Sequence, residues 1–147
     1  MAEQVAALCW RSQGGLPEVL LITSRETGRW VIPKGWRIKG LTEAEAAARE
    51  AWEEAGVTGR VQDEPIGHFC YDKLMGSGQV QPCAVTVFGL GVDKLERDFP
   101  EKDERRRVWF PAAEAAGLVA EPDLRALLSA LAVKAGALIG PSASGGA

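Results

Sequence analysis

Cysteine, histidine and tyrosine are scarce in this chain of 147 residues, which has three, one and one of them, and long apolar runs are missing. The apolar stretches Val19–Ile22 and Ala84–Val87 fall far short of the roughly 18 residues a membrane span needs, so no transmembrane helix is expected. Cys9, Cys70 and Cys83 are odd in number, widely separated and set in apolar, strand-like runs, which predicts buried reduced thiols rather than a disulfide or zinc framework. His68 has no neighbouring Cys or His, so a structural or partly exposed role is expected of it rather than metal ligation. An excess of positive charge is absent as well. With 17 Lys plus Arg against 20 Asp plus Glu and a net charge of −3, bulk binding to nucleic-acid backbones is not expected. The N-terminal Met1-Ala2-Glu3-Gln4 is not a basic segment leading into an apolar one, so no signal peptide and a cytoplasmic location are expected.

Hydrophobic residues make up 46% of the chain and charged residues 25%, enough apolar surface for one compact core. No period of roughly 20 to 50 residues repeats. From Gly140 the chain reads Gly-Pro-Ser-Ala-Ser-Gly-Gly-Ala, which has nothing to bury, so a single domain over 1–139 followed by a flexible tail over 140–147 is expected.

Short β-branched and apolar runs predict strands at Val5–Trp10, Val19–Ser24, Trp30–Ile32, Val80–Val92 and Arg107–Phe110, and a further one at Val61–Tyr71 interrupted around Pro65–Gly67. Helices are expected at Glu43–Ala55, at about Pro122–Ala135 and, shorter, at Ala112–Ala116. Strands and helices do not alternate as in a doubly wound sheet, which favours an α+β arrangement with a mixed sheet flanked by helices.

The first helix carries the chemistry. Thr42 and Glu45 form a Thr-x-x-Glu capping box at its start, and Gly56 ends it. At 100° per residue Ala44, Ala48, Ala51 and Ala55 share one narrow stripe, suited to close packing on a sheet. Glu43, Glu50 and Glu54 share another, with Glu53 beside it. Carboxylates at this spacing repel. Either solvent screens them, or a hard divalent cation that takes oxygen ligands neutralises them.

The segment before the helix, Trp30-Val31-Ile32-Pro33-Lys34-Gly35-Trp36, decides between these. Gly35 stands at the correct distance before Arg49-Glu50-Ala51-Trp52-Glu53-Glu54-Ala55-Gly56-Val57. That register resembles the Nudix hydrolases, whose pattern is Gly, five residues, Glu, seven residues, then Arg-Glu, an apolar residue, any residue, Glu-Glu, any residue, Gly and an apolar residue. One position departs, since Leu41 stands where the pattern has its first Glu. In the family that Glu helps hold the loop to the helix; Glu45, one turn before Arg49, is a candidate partner in its place, with an ordinary surface salt bridge to Arg49 as the alternative. The flanks Ala7-Leu8-Cys9-Trp10-Arg11 and Arg107-Val108-Trp109-Phe110 look most like the diphosphoinositol polyphosphate and diadenosine polyphosphate hydrolase branch, especially its short bacterial members.

The resemblance implies the Nudix fold, an α/β/α sandwich around a mixed sheet. It implies that Glu50 and Glu54 bind Mg²⁺ or Mn²⁺, with a backbone carbonyl near Lys34 or Gly35 as a further ligand, and that Glu53 ligates or acts as general base. Glu101 is the candidate base outside the motif. Arg11, Arg25, Lys34, Gly35 and Arg107 are the candidate substrate-binding residues, because guanidinium and ammonium groups at strand ends and loops suit phosphate. Lys73 is a further cation candidate, at least one of Arg105 and Arg106 is expected to be solvated, and Trp36 and Tyr71 are candidates to stack on a base. The expected activity is metal-dependent attack of water on phosphorus in a small polyphosphorylated substrate, diadenosine polyphosphates first. Inositol pyrophosphates, RNA 5′ ends and a non-catalytic binding domain are the alternatives. The protein is expected to work as a monomer or dimer.

Overall fold

The computed structural model describes residues 1–138, with side chains through Val133. The expected tail at 140–147 and the exact end of the domain lie outside the described residues. Eight strands form one mixed sheet: β1 (Ala2–Gln13), β2 (Leu16–Thr23), β3 (Trp30–Val31), β4 (Lys34–Trp36), β5 (Val57–Val61), β6 (Gly67–Leu74), β7 (Val80–Leu95) and β8 (Arg107–Pro111). Among the described residues three helices complete it: α1 (Glu43–Ala55), α2 (Ala112–Leu118) and α3 (Pro122–Leu138).

The centre of the sheet is β1, whose Val5–Cys9 run is buried without interruption. A strand covered on both faces reads as continuous hydrophobic sequence rather than alternating. It runs parallel to β7 from the Ala2–Cys83 pair to the Trp10–Gly91 pair, and antiparallel to β2 at one end and β4 at the other. Its side chains alternate between two cores. Val5, Ala7 and Cys9 join Ala44, Ala47, Ala51 and Ala55 of α1, while Ala6 and Leu8 join Ala112 and Ala115 of α2 and Leu124 and Leu128 of α3. This is the expected three-layer sandwich, with α1 on one face and α2 and α3 on the other.

Several boundaries differ from expectation. The chain returns to the sheet after Pro33 as β4, because the Pro33 carbonyl still accepts the Ala7 N–H at 3.0 Å and keeps the segment beside β1. The interrupted strand expected at Val61–Tyr71 is two strands. β5 starts at Val57, and its glycine and charged residues obscured the pattern, but a Cβ at Gly59 would collide with the Gly91 carbonyl, so the glycine permits the close pairing. Long β7 serves both, pairing β6 along Val80–Val87 and β5 from Leu90.

α1 is anchored at both ends. The Thr42 hydroxyl accepts the Glu45 N–H at 3.1 Å, and the Glu45 carboxylate accepts the Thr42 N–H at 2.8 Å. Glu45 is therefore occupied by the cap and forms no ion pair with exposed Arg49, so it does not take up the candidate partner role. The loop is tied down elsewhere: Arg37 Nη2 lies 2.6 Å from Glu43 at the helix start and 2.6 Å from Glu3 on β1. At the far end Gly56 takes φ 66°, and Arg107 Nη1 donates to the Ala55 carbonyl at 2.7 Å. A guanidinium there satisfies an orphan carbonyl and the negative end of the helix dipole.

The cysteines are free, but only Cys9 and Cys83 are buried. Cys70 is exposed because β6 alternates, burying Phe69 and turning its neighbours outward. Exposed His68 is its other outward neighbour. Among the described residues no helix is long and apolar enough to cross a membrane.

Candidate active site

The last two turns of α1 approach β4, and this brings two carboxylates onto a glycine. A Cβ on Gly35 would stand 2.5 and 2.7 Å from the two carboxylate oxygens of Glu50, so the bare glycine is what lets that side chain lie against the strand. Glu54, one turn on, is buried at 7% exposure, and the Lys34 N–H points to its Oε1 at 3.4 Å. Burial pushes the Glu54 carboxyl up to about 8; Arg105 pulls it back, and Glu50 adds to the rise. Burial also raises Glu50, with Glu53 and Glu101 adding to it and a shared hydrogen bond with Glu54 opposing it. Desolvated carboxylates that repel one another in this way are stabilised by a cation.

The loop between β7 and β8 closes the site from the other side. Glu101 N–H donates to the Glu53 carbonyl at 3.0 Å, which pins the loop to α1. Thr23 and Arg106 exchange two further bonds, Thr23 N–H to the Arg106 carbonyl at 3.0 Å and Arg106 N–H to the Thr23 hydroxyl at 2.9 Å. Between these anchors Arg105 turns inward with only 11% of its side chain exposed. Its Nε donates to Glu101 at 3.0 Å, its Nη1 donates to the Thr23 carbonyl at 3.2 Å, and its Nη2 lies 3.8 Å from Glu54.

A cleft of about 480 Å³ opens between these elements. It gathers Glu50, Glu53, Glu54 and Glu101, together with Arg25, Lys34 and Gly35. Arg25 sits at the exposed rim, where it pairs with Glu104 at 2.9 Å. Trp36 is 45% exposed at the same cleft, and Tyr71 and Lys73 of β6 also line it.

Two expected phosphate ligands are elsewhere. Arg11 is seven residues along β1 from the cleft residue Gln4, about 23 Å for an extended strand; it pairs with Glu18 at 2.8 Å and stacks 4.1 Å over Trp109. Arg107 is committed to the end of α1 and lies 4.8 Å over Phe99, outside the cleft. Arg105, not Arg107, lines the cleft. Alternation along β8 and its approach was the available signal, because Arg105 and Arg107 share one side while exposed Arg106 turns to the other and faces Trp30 at 5.6 Å. Gln4, buried at 4% exposure, was also missed, because it follows Glu3 just outside the Val5–Trp10 run that predicted the strand.

Among the described residues no three His, Cys, Asp or Glu side chains close into a ready-made metal cage. Glu50 and Glu54, with Glu53 beside them, instead offer a partial oxygen donor set open to the cleft. Such a set suits a hard divalent ion that completes its shell with water and substrate phosphate.

The NUDIX domain model matches residues 2–131. The chain belongs to the Nudix family. Nudix hydrolase 13 of Arabidopsis thaliana, described as mitochondrial, is 36% identical over 107 residues, covering 67% of this chain and 51% of that protein. Diphosphoinositol polyphosphate phosphohydrolase 3-alpha of Mus musculus is 30% identical over 118 residues, 77% of this chain and 66% of that one. This Nudix chain thus spans about half the length of the plant relative. The crystal structure of a C. elegans Ap4A hydrolase binary complex superposes with a TM-score of 0.63 at 20% identity, covering 91% of this chain and 97% of that one. That likeness establishes the Nudix fold, in which Glu50, Glu53 and Glu54 occupy the motif helix.

Proposed function

We propose that the chain is a metal-dependent pyrophosphohydrolase that splits a phosphoanhydride bond in a small polyphosphorylated molecule, with diadenosine polyphosphates as its substrate class. The observation that carries this reading is the seating of Glu50 on Gly35 beside buried Glu54, in one cleft with Lys34, Arg105 and Glu101. Glu50 and Glu54, with Glu53, would hold the ion, Mg²⁺ first and Mn²⁺ second. When bound, the ion supplies neutralisation of phosphate charge and a lowered pKa for the attacking water.

The remaining work falls to the chain's own groups. Glu53 or Glu101 takes the proton from water as its oxygen bonds to phosphorus. Lys34, Arg25 and Arg105 face the phosphate oxygens, while the bridging P–O bond breaks and the leaving phosphate keeps the electron pair. The cleft's cations are largely engaged by carboxylates: Arg25 by Glu104, Arg37 by Glu3 and Glu43, and Arg105 by Glu101. A linear polyphosphate between nucleosides needs fewer free cations than a densely phosphorylated inositol, and exposed Trp36 offers a face for adenine. The free thiols of Cys9, Cys70 and Cys83 suit a reducing compartment such as the cytoplasm.

The test is incubation with Mg²⁺ or Mn²⁺ and a panel of diadenosine polyphosphates, inositol pyrophosphates, nucleotide sugars, nucleoside triphosphates and 5′-triphosphorylated RNA. Preferential splitting of a diadenosine compound is expected. Preference for an inositol pyrophosphate or RNA would overturn the substrate class, and no metal-dependent product would favour a binding domain.

A further inference from the structure

Lys34 is divided between two partners. Its backbone N–H faces Glu54, yet its ammonium reaches across to β6 and sits 4.7 Å from the centre of the Tyr71 ring. A lysine side chain is flexible and loses rotamer freedom when it is fixed, so an ammonium at a cleft wall is useful to an anion only if something orients it. Tyr71 is built to do so. Its hydroxyl donates to Gln4 Oε1 at 2.6 Å, and its ring packs 6.3 Å from that of buried Phe69. Gln4 is itself fixed, buried on β1 between its pairing partners Trp36 on β4 and Val85 on β7. Gln4, Lys34 and Tyr71 all line the cleft. A ring face attracts a cation without neutralising it, so the Lys34 N–H groups turned away from the ring stay available to phosphate. The Arg105 guanidinium is instead engaged by the carboxylate of Glu101.

We propose that Tyr71 is a positioning residue for substrate binding: its ring, held by Gln4, presents the Lys34 ammonium to the phosphate chain. This rests on the hydrolase reading above for the identity of the anion, but the Tyr71–Lys34 coupling is measurable without turnover. It predicts a graded effect. Tyr71→Leu removes both ring and tether and raises KM about tenfold, with kcat within about twofold. Tyr71→Phe keeps the ring but loses the tether to Gln4, and raises KM about threefold. Lys34→Met raises KM at least as much as Tyr71→Leu, and adding Tyr71→Leu to it changes nothing further, because the two residues act as one unit.

The accompanying measurement is the rate at which an amine-acylating reagent labels Lys34, read by peptide mass spectrometry on the intact chain without substrate. Tyr71→Leu is expected to change that rate at least about threefold, and Tyr71→Phe less. A merely structural role for Tyr71 would lower thermal stability and kcat, and its effect would add to that of Lys34→Met. Additive effects, an unchanged KM in Tyr71→Leu, or an unchanged Lys34 labelling rate would each overturn the proposal. A changed labelling rate in a protein that hydrolyses no phosphoanhydride would overturn the hydrolase reading and leave the coupling in place.

Discussion

Gly35 and Glu50 are sterically matched, because the carboxylate occupies the space in which any other residue would carry its Cβ. The obstructing group is the far end of a flexible side chain rather than backbone. Gly35→Ala should therefore displace Glu50 without unfolding the protein: Mg²⁺ affinity measured by calorimetry is expected to fall at least about tenfold, with the metal-free melting temperature shifted by no more than a few degrees. The thiols give a second prediction at this scale. Burial pushes the Cys9 thiol up to about 12, so it should resist iodoacetamide at pH 8 in the folded protein, while exposed Cys70 reacts. The sign of the linkage follows. A thiol pKa raised from 9.0 to about 12 on folding gives stability that is complete below pH 9 and lost as pH rises toward 12. Cys9→Ala should flatten that alkaline decline in a denaturation series, and an unchanged slope would count against the burial argument.

The elements differ in how readily the sequence discloses them. α1 was legible end to end, since a capping box, an alanine stripe and a terminal glycine all specify the same helix, and the structure has it over Glu43–Ala55. Replacing Thr42 by Ala is expected to cost about 1 kcal/mol through loss of the cap, read as a melting temperature lower by about 2–5 °C. β4 and β5 were not legible. β4 is three residues long and follows a proline, and β5 mixes glycine and arginine with its valines, so neither shows a hydrophobic period; both are held by pairing with β1 and β7, strands distant in sequence. The same long-range pairing explains the site. Motif spacing placed Glu50, Glu53, Glu54 and Gly35 together because they are local, whereas the cations depended on where strand ends meet. A place at a strand end pointed to Arg11 and Arg107, but strand direction carried Arg11 away and helix capping claimed Arg107. Leu41 has a comparable resolution: Arg37, bridging Glu3 and Glu43, ties the loop to the helix start. Exposed pairs of this kind contribute at most about 1 kcal/mol, so salt should weaken this tie more than the buried contacts of Arg105.

At the scale of the molecule, the sandwich places α1 on one face of the sheet and α2 with α3 on the other, and the cleft draws on residues from both sides of that division. The carboxylates come with α1, while Lys34 and Tyr71 bring in β4 and β6, and the β7–β8 loop adds Glu101 and Arg105. Hydrolysis at phosphorus is the central claim, and one experiment tests it directly: turnover of a diadenosine polyphosphate with Mg²⁺ in ¹⁸O-water, run beside Glu54→Gln. The account predicts ¹⁸O in a phosphate group of one product, and a rate lowered at least about a hundredfold in Glu54→Gln with no loss of metal-free stability, because the substitution removes a buried, repelled carboxylate. Product without ¹⁸O in phosphate, or a fully active and Mg²⁺-responsive Glu54→Gln protein, would contradict it.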